Sequence, residues 1–158
     1  MISVCGPNEA SERELDAAFN VGRLIAEAGH AVVCGGRGGV MEAVAAGAKS
    51  AHGVTIGILP GYDPSEANSS IDYPVPTGLG HARNAIVAAS GRAVIAIGGG
   101  FGTLSEIGLA LKMGKRVVHI GSWDLEPERL ARFEGDGAVY ISAKSPEEAV
   151  RLALDGPT

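Results

Sequence analysis

The sequence predicts a doubly wound α/β fold, a mostly parallel sheet of about six to seven strands flanked by helices. Three observations predict it. Short runs of Val, Ile and Ala recur along the 158 residues and alternate with helical segments. Nearly all of these runs are continuously apolar, as strands covered on both faces must be. The composition is 46% hydrophobic with 24 glycines but only 4% aromatic residues, which suits small side chains packed between helices and sheet better than a β-sandwich. A single domain, residues 1–158, is expected from this length.

Each element has its own signal. Strand candidates are Ile2–Cys5, 31–34, 54–59, Ala93–Ile97, Arg116–Ile120 and 138–141. Between the first two, SERELDAAFNVGRLIAEAG reads as a helix that opens with a Ser11-x-x-Glu14 capping box and stops at Gly29. GGVMEAVAAGAKSAHG is a short alanine-rich helix bounded by glycines, and GHARNAIVAASG and GTLSEIGLALKMGK supply two more. SPEEAVRLAL follows with Ser145 as N-cap and Pro146 at the first helical position, where the missing N–H has no bond to lose. Residues 60–80, PGYDPSEANSSIDYPVPTGLG, break the rhythm. They are expected to form a long surface loop with a brief extended piece at 73–75, and ligand selectivity is expected to lie there.

Charge and cysteine usage exclude several classes. A net charge of −5 and a pI near 5.3 argue against a nucleic-acid surface. The longest apolar window, residues 93–111, is broken by GGGFGTLSE and would bury Glu106 in lipid, so it reads as strand, loop and helix and not as a membrane span. Met1 leads straight into a strand without a signal peptide, and two cysteines make no disulfide framework; the expected compartment is a reducing cytoplasm. Cys5 and Cys34 end neighbouring strands, where they could lie close at the ligand edge, but without clustered histidines or further thiols they are a poor metal site and are expected to be small core residues. His119 reads as a satisfied core residue and His81 as a surface or helix-start residue.

Ligands of such sheets bind beyond the carboxyl ends of the strands. Three strand-to-helix turns there are rich in glycine: CGPNEAS, CGGRGGVME and GGGFGTLSE. None matches the dinucleotide fingerprint, because Met41 and Thr103 stand where third glycines belong, and no Lys-Ser or Lys-Thr closes a Walker loop. What remains is a cradle of backbone amides at helix N-termini, suited to phosphate or a phosphorylated small molecule. Its residues would be Gly6 and Pro7, Gly35, Gly36 and Gly39, and Gly98, Gly99, Gly100, Phe101, Gly102 and Thr103. Thr103-x-x-Glu106 is itself a capping box, so residue physics alone makes Glu106 a helix cap before it makes it a catalyst. Arg83 reads equally as a solvated helix residue or an anion clamp.

Three blocks in order then resemble the Lonely Guy (LOG) superfamily, which includes cytokinin-activating phosphoribohydrolases and molybdenum-cofactor carrier-like proteins. CGGRGGVMEAVAAGA with the following GVTIGILP resembles the family's Gly-Gly…Gly-x-Met block, which brings in Met41. HARN stands in the place of its Arg-Lys motif, and GGGFGTLSE resembles its PGGxGTxxE signature. Asn84 replaces the motif lysine and Gly98 the signature proline, and the wording is closer to the short carrier-like branch. The resemblance implies a Rossmann-like domain, a homodimer or homotetramer, and a site for an AMP-like nucleotide, phosphate or molybdopterin, with no cofactor required. For the phosphoribohydrolases it implies catalytic roles that would fall on Arg83 and Glu106. Binding is placed ahead of catalysis, and the label of lysine decarboxylase that members often carry finds no support. Lys49, Lys112, Lys115 and Lys144 all read as helix or surface residues, with none suited to a Schiff base.

Overall fold

A computed structural model describes residues 1–126, 130 and 138–155. In chain order it contains β1 (Ile2–Cys5), α1 (Glu12–Glu27), β2 (Val32–Cys34), α2 (Val40–Ser50), β3 (Thr55–Leu59), β4 (Tyr73–Pro76), α3 (Asn84–Ser90) and β5 (Ala93–Ile97). Then come α4 (Phe101–Lys112), β6 (Arg116–Ile120), β7 (Val139–Ser142) and α5 (Pro146–Leu154), with short 3-10 turns at Pro64–Glu66 and Gly80–Arg83. The seven strands form one parallel sheet in the order β4-β3-β2-β1-β5-β6-β7. This is the doubly wound architecture expected: α1, α2 and α4 each carry the chain between neighbouring parallel strands, and α3 leads from the edge strand β4 back to β5 beside β1.

Local chemistry accounts for the element ends. Ser11 caps α1 in a complete capping box: its hydroxyl accepts from Glu14 N, and the Glu14 carboxylate accepts from Ser11 N at 2.7 Å. Ser145 caps α5 by accepting from Glu148 N, with Pro146 next in line. The apolar runs of β1 and β5 are buried throughout because helices cover both sides of the sheet. Ile2, Val4, Ile95 and Ile97 face α1, α2 and α5, whereas Cys5, Val94 and Ala96 face α3 and α4. On the first side α1 and α2 touch backbone to backbone. A Cβ on Gly47 would overlap the Phe19 carbonyl oxygen, and one on Gly22 that of Val44.

The 60–80 segment differs in part from a plain loop. Residues 73–76 are a full edge strand in register with β3, from Ile56 opposite Tyr73 to Leu59 opposite Pro76. Pro74 and Pro76 fit there because alternate residues present their N–H to one side, and the side carrying the prolines faces away from β3. Thr77, in the same phase as Tyr73 and Val75, donates its N–H to Leu59 O. The rest of the segment is pinned down. Asp72 accepts from Lys49 Nζ at 2.6 Å and from Thr55 N at 3.0 Å.

Of the single-residue expectations, the one for the cysteines holds in that both are buried in the core, and the one for His119 fails. Cys5 and Cys34 end neighbouring strands but belong to opposite faces of the sheet, because β1 and β2 pair Ile2 with Val32 and side chains alternate from there. His119 is only partly buried, and its Nδ1 has no hydrogen-bond partner among the described residues. Its ring instead stacks on Tyr140, with centroids 4.5 Å apart and planes at 10°.

Candidate functional site

Strand order reverses between β1 and β5, and the three glycine-rich turns converge just beyond their carboxyl ends. Two close approaches hold the convergence together. Gly39 adopts φ 64° and lies so near Pro7 and Asn8 that a Cβ would overlap the Asn8 carbonyl. Val40 N donates to Pro7 O at 3.1 Å, which fastens the first turn to the second. At Gly35 a Cβ would stand 2.6 Å from both Arg83 Nη1 and Met41 Sδ, so only glycine lets the guanidinium lie across this turn. Asn68 buttresses the outside, donating its side-chain amide to Gly36 O at 3.2 Å and Arg37 O at 2.8 Å.

These turns enclose a cavity of about 260 Å³. Of the residues singled out from the sequence, Gly6, Pro7, Gly35, Met41, Arg83, Gly100, Gly102, Thr103 and Glu106 line it. Gly36, Gly39, Gly98, Gly99 and Phe101 shape the turns without lining the cavity. Cys5, Asn8, His81 and Asn84 also line it. No residue between 60 and 80 does, so the segment expected to set selectivity acts at most from behind Gly36 and Arg37.

Helix α4 begins three residues earlier than the Thr103-x-x-Glu106 spacing predicts. Its N-cap is Gly100, with no side-chain cap, and Phe101 is the first helical residue. Thr103 is therefore inside the first turn and Glu106 inside the second, so the capping box does not form. The first-turn amides keep the unpaired donors and the positive end of the helix dipole beside the cavity. Trp123 steadies this turn from outside by donating Nε1–H to Gly100 O at 3.2 Å, a support the sequence reading missed. Asn84, in the place of the motif lysine, donates to Ser105 Oγ at 2.8 Å and so ties α3 to α4.

Freed from capping, Glu106 faces Arg83, Oε1 to Nη1 at 3.5 Å, with side chains only 7% and 12% exposed. Burial pushes the Glu106 carboxyl up to about 7, against the opposing pull of Arg83 and of a hydrogen bond from Cys5. Burial also lowers the Arg83 guanidinium, more than Glu106 raises it. Desolvation thus outweighs attraction for both partners, as a contact longer than a charge-assisted hydrogen bond allows. Such a pair contributes little to stability, and Arg83 Nε is buried without a hydrogen-bond partner among the described residues. The arrangement holds a cationic fork ready for an anion and a carboxyl able to exchange a proton near neutrality. The Cys5 thiol is pushed well up by burial and then by Glu106, and Cys34 to about 11 by burial, so neither is a thiolate at neutral pH.

Fold and site together define a Rossmann-like α/β protein with a glycine-lined cavity at its topological switch point. The sequence model of the SLOG cluster4 family matches residues 1–150, and the chain belongs to this family. A protein of Archaeoglobus fulgidus is 49% identical over 97% of this chain and 93% of its own. The molybdenum cofactor binding protein of Rippkaea orientalis superposes with a TM-score of 0.85 at 43% identity, covering 96% of this chain and 93% of that one. The molybdenum cofactor carrier protein of Chlamydomonas reinhardtii superposes with a TM-score of 0.79 at 37% identity, covering 95% and 92%. The resemblance carried by the three motif blocks is therefore correct. Among the described residues, no helix is long and apolar enough to cross a membrane.

Proposed function

We propose that this protein binds a phosphorylated, nucleotide-like small molecule, a nucleoside monophosphate or a molybdopterin-type cofactor, with its phosphate in the switch-point cavity. One observation carries the reading: the uncapped first turn of α4 and the unpartnered Arg83 Nε meet at one cavity. Backbone donors, a helix dipole and a guanidinium fork are complementary to a phosphate dianion. The names of the two solved relatives, a molybdenum cofactor binding protein and a molybdenum cofactor carrier protein, support a pterin-type cargo. Under this reading the protein's contacts are with the phosphate and ring of that cargo. A homodimer or homotetramer in the cytoplasm belongs to the same reading. Native mass spectrometry of freshly purified protein should show a phosphate-bearing ligand, and titration with AMP or molybdopterin should show saturable binding. No ligand and no binding of either would refute the proposal.

A second reading is favoured by Glu106, whose carboxyl titrates near neutrality beside Arg83. In this reading the protein adds water across the base–ribose bond of a nucleoside 5′-monophosphate, releasing base and ribose 5-phosphate. Glu106 would activate water or steady the oxocarbenium-like transition state, and Arg83 would hold phosphate or ribose oxygens. Incubation with AMP and N6-substituted AMP should then release free base, and Glu106→Gln should abolish release. Equal traces from the two proteins would eliminate the enzyme.

A further inference from the structure

The phosphate cavity does not end at Asn84. His81, Asn84 and Gly102 line both it and a second, shallower groove that continues along the outside of α3 and α4. The inner cavity, at about 260 Å³, lies below the roughly 300–1,000 Å³ of pockets that enclose a whole drug-sized ligand. It has room for a phosphate and part of a sugar. The outer groove is wider, about 630 Å³, and its chemistry is the opposite: Ala82, Ala85, Leu109 and the Phe101 ring form its walls.

Phe101 is the unusual member of this set. It is the first residue of α4 and 83% exposed, so the core does not use it. Its ring lies 5.9 Å from that of Trp123, tilted by 30°, and Trp123 is held in turn by its bond to Gly100 O. A large aromatic surface kept in water beside an anion cradle, with a second ring fixing its place, is the form of a stacking platform. Gly102 stands between the two compartments, and a Cβ there would meet nothing within 4 Å, so the passage is open.

We propose that the planar heteroaromatic part of the ligand, a purine or pterin ring, lies in this outer groove against Phe101 while its phosphate occupies the inner cavity. The inference rests on the phosphate-binding reading above and adds the orientation of the ligand and the residue that selects for its ring. It makes Phe101 a specificity residue, distinct from the glycines that surround it in sequence.

The test compares two ring-bearing probes, AMP and 6-hydroxymethylpterin phosphate, with ring-free ribose 5-phosphate by calorimetry. At least one ring-bearing probe should bind wild type more tightly than ribose 5-phosphate does. Phe101→Ala should weaken that probe by about tenfold or more and leave ribose 5-phosphate within about twofold, and Phe101→Tyr should restore the affinity. Trp123, the single tryptophan, should be quenched by the ring-bearing probe and not by ribose 5-phosphate. Equal losses for all probes in Phe101→Ala, or no loss, would overturn the placement. If ribose 5-phosphate binds and a ring adds nothing, the placement fails while the phosphate reading stands. If no probe binds, both fail. Light scattering supplies the last arm: an oligomer split by Phe101→Ala with unchanged probe affinities would make the groove a contact between copies and refute the ring site.

Discussion

Glu106 keeps its proton up to about pH 7 because burial penalises the anion more than Arg83 favours it, whereas its ordinary value is 4.5. The folded protein therefore holds this proton more tightly than the unfolded chain. The resulting stability is complete below pH 4.5 and is lost as pH rises through about 7. Between about pH 5.5 and 8 the loss from this one group should be on the order of 2 kcal/mol. Glu106→Gln, which keeps the shape without the charge, should remove that dependence. Urea unfolding of both proteins at the two pH values checks it, and identical pH dependence would show that Glu106 titrates elsewhere. Arg83→Met keeps an apolar stem and removes the fork. It should weaken phosphate binding by about tenfold or more and drive the Glu106 carboxyl further up, which a carboxyl-carbon NMR titration reads directly.

At the scale of elements, α4 shows where sequence spacing stops being informative. Thr103-x-x-Glu106 has the same spacing whether the N-cap is Thr103 or Gly100. The structure instead engages Glu106 with Arg83, which reaches it from 23 positions earlier in the chain. Signals that act within a few residues were legible: the Ser11 and Ser145 caps, the apolar strands and the glycine turns all stand where their neighbours imply. Facts that depend on pairing were not. The opposite facing of Cys5 and Cys34 follows from a register set between strands, and the half-buried stack of His119 on Tyr140 depends on β7 lying beside β6. Trp123 behind Gly100 is likewise a long-range partner without a local mark. The α1–α2 contact is a further case. Gly47→Ala would improve helix propensity in isolation, yet here its methyl meets the Phe19 carbonyl. It should cost about 1–3 kcal/mol, seen as a lower urea midpoint with an unchanged slope; a rise in midpoint would mean that the helices separate easily.

For the molecule as a whole, a seven-stranded parallel sheet has an edge at β4 that offers unpaired backbone to other molecules. Pro74 and Pro76 remove two donors from the open side of that edge without weakening its bonds to β3. Replacing both by threonine should leave phosphate binding unchanged and speed aggregation on mild heating, measured by light scattering. Unchanged scattering would show that the edge is protected by something other than its prolines.

The sheet order also divides the chain into two wings that meet at β1 and β5. Cys5, Gly6, Gly35 and Met41 reach the cavity from one wing, Gly100, Thr103 and Glu106 from the other, and Arg83 from the segment joining them. A molecule seated there is a rivet through both. Its binding free energy adds to the cohesion of the wings, in proportion to the logarithm of its concentration over its dissociation constant once that ratio is large. A bound guest should therefore raise the resistance of the whole sheet to unfolding, read as a ligand-dependent rise in the urea midpoint.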